Sequence, residues 1–143
     1  MPMLDSYLFF NGNCAEAMNF YHRTLGGEMQ AMLTYGQSPE PEACAAGDKD
    51  RIMHACLVLD GRMLMASDAP AARPVPPMGA IALSLNYATA DEARRIFDAL
   101  AQGGRVDMPW SKTFWVEGFG ACTDRFGTPW MVGGGEQYKV GDA

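Results

Sequence analysis

Two stretches of this chain are written to the same plan. Asn13-Cys-Ala-Glu16 opens a run in which Ala17, Phe20, Tyr21 and Leu25 recur at helical spacing before Gly26-Gly27. Thr89-Ala-Asp-Glu92 opens another in which Ala93, Ile96, Phe97 and Leu100 recur before Gly103-Gly104. A capping residue with Glu three positions later starts a helix, and paired glycines end one. Laid over each other, the runs match Glu16 with Glu92, Ala17 with Ala93, Tyr21 with Phe97 and Gly27 with Gly103. Such a repeat constrains the fold more than any local signal, because each copy is a supersecondary unit that cannot bury its apolar face alone.

The segments around the helices read as strands. Leu4 to Phe10 is an apolar and aromatic run ended by Asn11-Gly12, and Glu28 to Tyr35 returns to strand character. Arg51 to Leu59 and Arg62 to Ser67 flank Asp60-Gly61, a strong hairpin signal. That turn pairs Leu59 with Arg62, Val58 with Met63, Cys56 with Met65 and His54 with Ser67. Alternation then places His54, Cys56, Val58, Met63, Met65 and Ser67 on one face.

In the second copy, Ala80 to Asn86 precedes the helix, and Arg105 to Trp110, Trp115 to Thr123 and Pro129 to Val132 follow it. Asp124-Arg-Phe-Gly127 turns the last hairpin, with Asp124 ordering the turn. The stretch from Val106 to Gly135 holds all three tryptophans and three of the seven phenylalanines, aromatic bulk suited to a core or a cavity wall.

The expected fold is therefore α+β: two strand–helix–strand–strand–strand (βαβββ) repeats in one domain spanning 1–143. Repeat 1 covers about 1–68, a proline-rich link about 69–78, and repeat 2 about 79–135. Each sheet is covered by its helix on one side, so the other sides must meet each other or a partner chain. Gly36 to Asp50, with Pro39 and Pro41 and no hydrophobic period, reads as a long loop, either an active-site lid or, in preference, a plain surface loop.

Bulk properties exclude several classes. A net charge of −6 with no Lys/Arg run argues against nucleic acid. No apolar segment approaches the ~20 residues that span a bilayer, and no basic n-region precedes the first apolar run. Cys14, Cys44, Cys56 and Cys122 form no C-x-x-C pair, so reduced thiols in a cytoplasmic protein are the expectation.

The residues Phe10-Asn-Gly-Asn-Cys-Ala-Glu-Ala17 with Tyr21, then His54-Ala55 and Met65-Ala-Ser-Asp68, carry a family resemblance. It continues through Thr113-Phe-Trp115, Gly118-Phe-Gly120, Thr123-Asp124, Phe126-Gly127 and Pro129-Trp-Met131. Over nearly its whole length the chain resembles the PhnB-like branch of the vicinal-oxygen-chelate superfamily, which includes glyoxalase I, extradiol dioxygenases and bleomycin- and fosfomycin-resistance proteins. That branch is also labelled a 3-demethylubiquinone-9 3-methyltransferase domain. The resemblance implies a glyoxalase-like fold, a homodimer, and a small-molecule ligand in a cavity formed by the curled sheets. Methyltransferase chemistry is not expected. It would need a nucleotide pocket at a parallel sheet behind a Gly-rich turn, and neither strand-to-helix turn here is Gly-rich.

Metal-using members of the superfamily place His or Glu on the first and last strands of each unit. Here those strands offer Tyr7 and Phe9, then Ile81, Leu83 and Leu85, with Ala82 and Ser84 on the opposite face. The last strands offer Met63, Met65, Trp130 and Val132. None is a usual metal ligand, so no metal or other cofactor is expected at these positions.

His54 is either a general base or ligand-orienting group in the cavity, or a half-buried histidine satisfied by a carbonyl or by Ser67. Glu117, among tryptophans, is either an acid–base group or a solvated strand carboxylate. The candidate catalytic pair is thus His54 and Glu117, and the candidate ligand contacts are Tyr7, Phe9, Ser67, Asp68, Trp115 and Trp130. A metal-dependent lyase, isomerase or dioxygenase with rearranged ligands, or a drug-sequestering protein, are the alternatives to a plain binding protein.

Overall fold

The computed structural model describes residues 1–137. The chain forms two compact units, the first ending at Pro76 and the second starting at Pro77. In the first, β1 (Ser6–Phe10), α1 (Cys14–Leu25), β2 (Glu28–Thr34), β3 (Ile52–Leu59) and β4 (Arg62–Asp68) follow one another. Their sheet has the order β1-β4-β3-β2, with β1 parallel to β4 and the other pairs antiparallel. In the second, β5 (Leu83–Tyr87), α2 (Ala90–Ala101), β6 (Arg105–Ser111), β7 (Val116–Thr123) and β8 (Pro129–Glu136) form the sheet β5-β8-β7-β6 by the same plan. This is the expected α+β arrangement of two βαβββ units.

The Asp60-Gly61 turn fixes the first hairpin. Both residues have positive φ, 47° and 78°, the combination a type I′ turn requires. The ladder runs from Leu59 opposite Arg62 through Cys56 opposite Met65 to Ala55 opposite Ala66, as the turn dictates. Helix α1 lies on the face that carries Leu8, Phe10, Ala55, Leu57, Leu64 and Ala66, all buried, and contributes Ala17, Met18, Phe20 and Tyr21 to that core.

The start of α1 departs from expectation. Asn13 makes no capping hydrogen bond. Its place is taken by a residue from the far end of the unit. Asp68 Oδ1 accepts from the Gly12 and Cys14 amides at 2.8 and 3.0 Å, and Oδ2 accepts from the Ile52 amide at 2.9 Å. Asp68 pairs with Phe10 in the β1–β4 ladder, which delivers its side chain to the helix N-terminus. A carboxylate there meets both unsatisfied amides and the positive end of the helix dipole. Asn11 is used elsewhere: its side chain exchanges two 2.9 Å hydrogen bonds with the backbone of Val75, clasping the proline-rich segment to the first unit.

In the second unit Thr89 caps α2 as expected, its hydroxyl accepting from the Glu92 amide at 3.2 Å. Ala93, Ile96, Phe97 and Leu100 are buried. The helix sits close to its sheet because glycines lie beneath it. A Cβ at Gly134 would strike the Thr89 carbonyl and Ala93, and one at Gly120 would meet the Phe97 ring at 2.8 Å. Buried Asp124 ties the last turn: Oδ1 accepts from the Phe126 and Thr128 amides, and Oδ2 from the Trp130 indole at 2.8 Å.

Two stability predictions follow from this framework. Asp68→Asn keeps one acceptor oxygen and turns an amide against a backbone N–H, so it lowers unfolding free energy by about 3 kcal/mol in urea titrations. Asp60→Asn, at a turn position that suits Asn, changes stability by less than about 0.5 kcal/mol. A loss below about 1 kcal/mol for Asp68→Asn would refute its role as the cap.

The thiols supply a second test. Burial and the nearby Asp68 carboxylate push the Cys14 thiol up to about 12, and burial with Asp124 and Asp107 pushes Cys122 up to about 11. Both stay protonated at pH 8 and are inert, and Cys56 is buried, whereas Cys44 is half-exposed. Ellman's reagent at pH 8 should titrate one rapid thiol in the native protein. Cys44→Ser should remove it, and denaturant should expose the remaining three of the four cysteines.

Candidate functional site

The first sheet has a far face, turned away from α1. Parallel pairing sets Tyr7 beside Met65 and Phe9 beside Ser67, and the hairpin sets Cys56 opposite Met65. His54 pairs with Leu33 of β2, and Cys56 with Ala31. Tyr7, Phe9, Leu33, His54, Cys56, Met65 and Ser67 therefore share this face. Tyr7 and Phe9 are 39% and 53% exposed, unusual for neighbouring aromatics on one strand.

Their rings stand 5.1 Å apart, and the Tyr7 ring is 5.8 Å from that of His54. The Tyr7 hydroxyl oxygen lies 3.2 Å from His54 Nδ1. His54 is thus held by a phenol on this face, and not by Ser67 or a backbone carbonyl. With Nδ1 beside the Tyr7 hydroxyl, Nε2 is the other ring nitrogen, a donor or an acceptor according to the tautomer. A phenol and an imidazole side by side can donate and accept hydrogen bonds over an aromatic floor.

The remaining sequence candidates fall in different surroundings. Ser67 is buried on this face beside Phe9. Asp68 points the other way, into the helix cap, and serves the framework. Trp130 is 2% exposed on the α2 side of the second sheet, its indole N–H committed to Asp124. Glu117 is exposed on β7, its side chain packed along Gly135. Trp115 is 39% exposed and makes edge contacts with Phe114 at 4.9 Å and Phe119 at 5.7 Å. It lines a cavity of about 630 Å³ in the second unit with Asn86, Tyr87 and Glu136. Sequence reading gave β2 no partner and so did not place Ala31 and Leu33 on the Tyr7–His54 face; in the fold a bulge between Met29 and Ala31 sets their alternation.

One face assignment needs correcting. Leu83 pairs with Trp130 and Leu85 with Val132, and these residues share the α2 side with Gly134 and Gly120. The positions in the second unit that correspond to Tyr7, Phe9, Met65 and Ser67 are Ser84, Asn86, Met131 and Gly133. Ile81 precedes β5 altogether. These far-face positions of the first and last strands thus offer phenol, phenyl, thioether, hydroxyl and amide groups; the carboxylates of the last strands are Asp68, which caps α1, and Glu136, at the end of β8. Such a donor set does not fit a divalent metal held at these strands. Among the described residues, no group of three or more His, Cys, Asp or Glu side chains is placed to hold a metal ion.

Comparison with known proteins agrees with this architecture. A crystal structure of protein PA1353 from Pseudomonas aeruginosa is 47% identical, covering 94% of this chain and all of that one, with a TM-score of 0.84. Protein YjdN of Escherichia coli (strain K12) is 39% identical over 140 residues, 92% of this chain and 94% of its own. A PhnB protein from Bacillus cereus, which carries a 3-demethylubiquinone-9 3-methyltransferase label, is 26% identical over 91% of this chain and 97% of its own, with a TM-score of 0.72. The family model described as the Glyoxalase/Bleomycin resistance protein/Dioxygenase superfamily matches residues 3–132. The chain belongs to that superfamily, with PhnB-like and YjdN-like relatives.

Proposed function

We propose that this protein binds a small molecule without a metal, on the face of the first sheet that carries Tyr7, Phe9 and His54. One observation supports the reading above others: two exposed aromatic rings lie side by side, and the phenol of one is 3.2 Å from an imidazole nitrogen. Exposed aromatic surface is costly unless a ligand or partner uses it, and the Tyr7–His54 pair adds directional polar groups to an apolar floor. The ligand class is a flat or apolar molecule with at least one hydrogen-bonding group. Ser67 and Met65 complete the floor. Trp115 and Glu117 act as the second unit's ligand contacts in this proposal, while Asp68 and Trp130 hold the scaffold. The assembly is read as a homodimer, by analogy with the superfamily.

The metal-free reading rests on donor chemistry, since the far-face positions Tyr7, Phe9, Met65, Ser67, Ser84, Asn86, Met131 and Gly133 of the first and last strands carry neither imidazole nor carboxylate. Methyl transfer is set aside for a structural reason. Both sheets are mixed, and the strand-to-helix turns, Asn11-Gly12-Asn13 and Ala88-Thr89, contain a single glycine between them.

The test has two parts. Metal analysis of untagged protein, before and after incubation with Zn²⁺, Mn²⁺, Ni²⁺ and Fe²⁺, should find well under one equivalent, and His54→Ala should change nothing. Stoichiometric metal that disappears in His54→Ala would make the protein a metalloenzyme with rearranged ligands and overturn the reading. A thermal-shift screen of planar aromatic acids and alcohols should then identify ligands. At a hundredfold excess over Kd, a true ligand adds about 2.7 kcal/mol of stability. Phe9→Ala and His54→Gln should abolish that gain without lowering the melting temperature of the free protein.

A further inference from the structure

We infer that the first unit carries a second ligand site, a cavity beneath the 35–50 loop that takes a compact, uncharged, mainly apolar molecule. β1, β2 and β4 end, and β3 begins, at one end of the first sheet. The 35–50 loop and the segment after Asp68 leave from that end and border a half-open pocket of about 660 Å³. None of Tyr7, Phe9, His54 or Ser67 lines this space, so it is a different site from the one proposed above. Its volume falls within the ~300–1,000 Å³ typical of small-molecule pockets.

The walls explain both the cavity's persistence and its preference. The loop folds into three short 3₁₀ turns, Tyr35–Gln37, Pro41–Ala43 and Ala46–Asp48. Its polar groups are spent on holding the walls in place. The Tyr35 hydroxyl donates to the Asp68 carbonyl at 2.9 Å, and the Gly36 amide to the Lys49 carbonyl at 2.9 Å. Buried Asp48 accepts from the Ala71 amide at 3.2 Å and lies 3.4 Å from Arg51 Nε, while Arg51 Nη1 donates to the Ala69 carbonyl at 2.9 Å. Loop and link are thereby tied to each other and to the sheet.

Turned inward are Pro39, Ala43, Cys44, Met53 and Pro70 with the Tyr35 ring. Proline and alanine lose little side-chain entropy when a ligand orders them, and methionine adapts to its shape. The charges at the cavity do not favour an ion. Asp48 is neutralised by Arg51, and Glu40 and Arg73 at the exposed edge oppose each other in sign. An apolar wall sheds water and gains dispersion contacts when an apolar guest covers it.

The probe is N-phenyl-1-naphthylamine, an uncharged fluorophore that brightens in apolar surroundings, titrated into the full chain. The expected result is saturable binding of one equivalent. Ala43→Phe/Ala72→Phe, which fills the cavity from two exposed wall positions, should weaken binding at least about tenfold. Phe9→Ala should leave it unchanged. Saturating probe should also slow alkylation of Cys44 by iodoacetamide, since that thiol lies in the wall. Absence of saturable binding would overturn the inference, as would Cys44 alkylation that the probe does not slow. Binding that survives the double substitution and disappears in Phe9→Ala would overturn it too, by assigning the probe to the Tyr7–His54 face.

Discussion

The first unit is organised by one carboxylate. Asp68 gathers backbone amides from the turn after β1, from the start of α1 and from the start of β3. Its own carbonyl receives the Tyr35 hydroxyl. Without it, the Cys14 amide at the helix N-terminus and the Ile52 amide at the start of β3 would be buried and unsatisfied, each costing more than a hydrogen bond normally contributes, and the Gly12 amide would lose its partner. The position of the 35–50 loop, the angle of α1 and the presentation of Ser67 on the opposite face all follow from where this group sits. The face that carries Ser67 and the loop end of the sheet both inherit that rigidity.

The second unit repeats the topology without repeating the chemistry. Tyr87 and Gly134 occupy the ladder positions of Phe10 and Asp68. Glycine cannot reach a helix N-terminus, and Thr89 caps α2 locally. What the glycine allows is proximity, because the helix rests where a side chain would stand. The buried carboxylate moves to the hairpin turn, where Asp124 binds two amides of its own turn and the Trp130 indole. The two copies have therefore diverged in their means of closure while keeping strand order and helix placement.

Much of this was legible in the sequence because it is local. The Asp60-Gly61 turn set a register that carried His54, Cys56 and Met65 to one face, and the helix stripes named all four buried residues of α2 but, for α1, Ala17, Phe20 and Tyr21 without Cys14 and Met18. What escaped was non-local. Nothing in Asn13-Cys-Ala-Glu16 shows that its cap comes from residue 68. Tyr7 meets His54 only through the parallel β1–β4 pairing, which no turn specifies. The misassigned face of β5 has a simple origin. Three residues separate β1 from α1 and two separate β5 from α2, so an overlay of the helices puts the strands one residue out of step. A shift of one residue in a strand exchanges its faces. The aromatic run Tyr7-Leu-Phe-Phe10, apolar on both sides, concealed the error.

The Asp68 latch also sets an order of events during folding. Its partner Gly12 lies 56 positions earlier in the chain, so a ribosome releases β1 and α1 long before the carboxylate that completes them. The β3–β4 hairpin closes over a two-residue turn and can form quickly, whereas the β1–β4 contact must first close a long loop. The helix N-terminus waits, its amides hydrated, until the hairpin arrives with its last residue. Folding of the first unit is thus gated by a contact of high sequence separation, and a chain truncated before Asp68 would lack the group that fastens its beginning to its end.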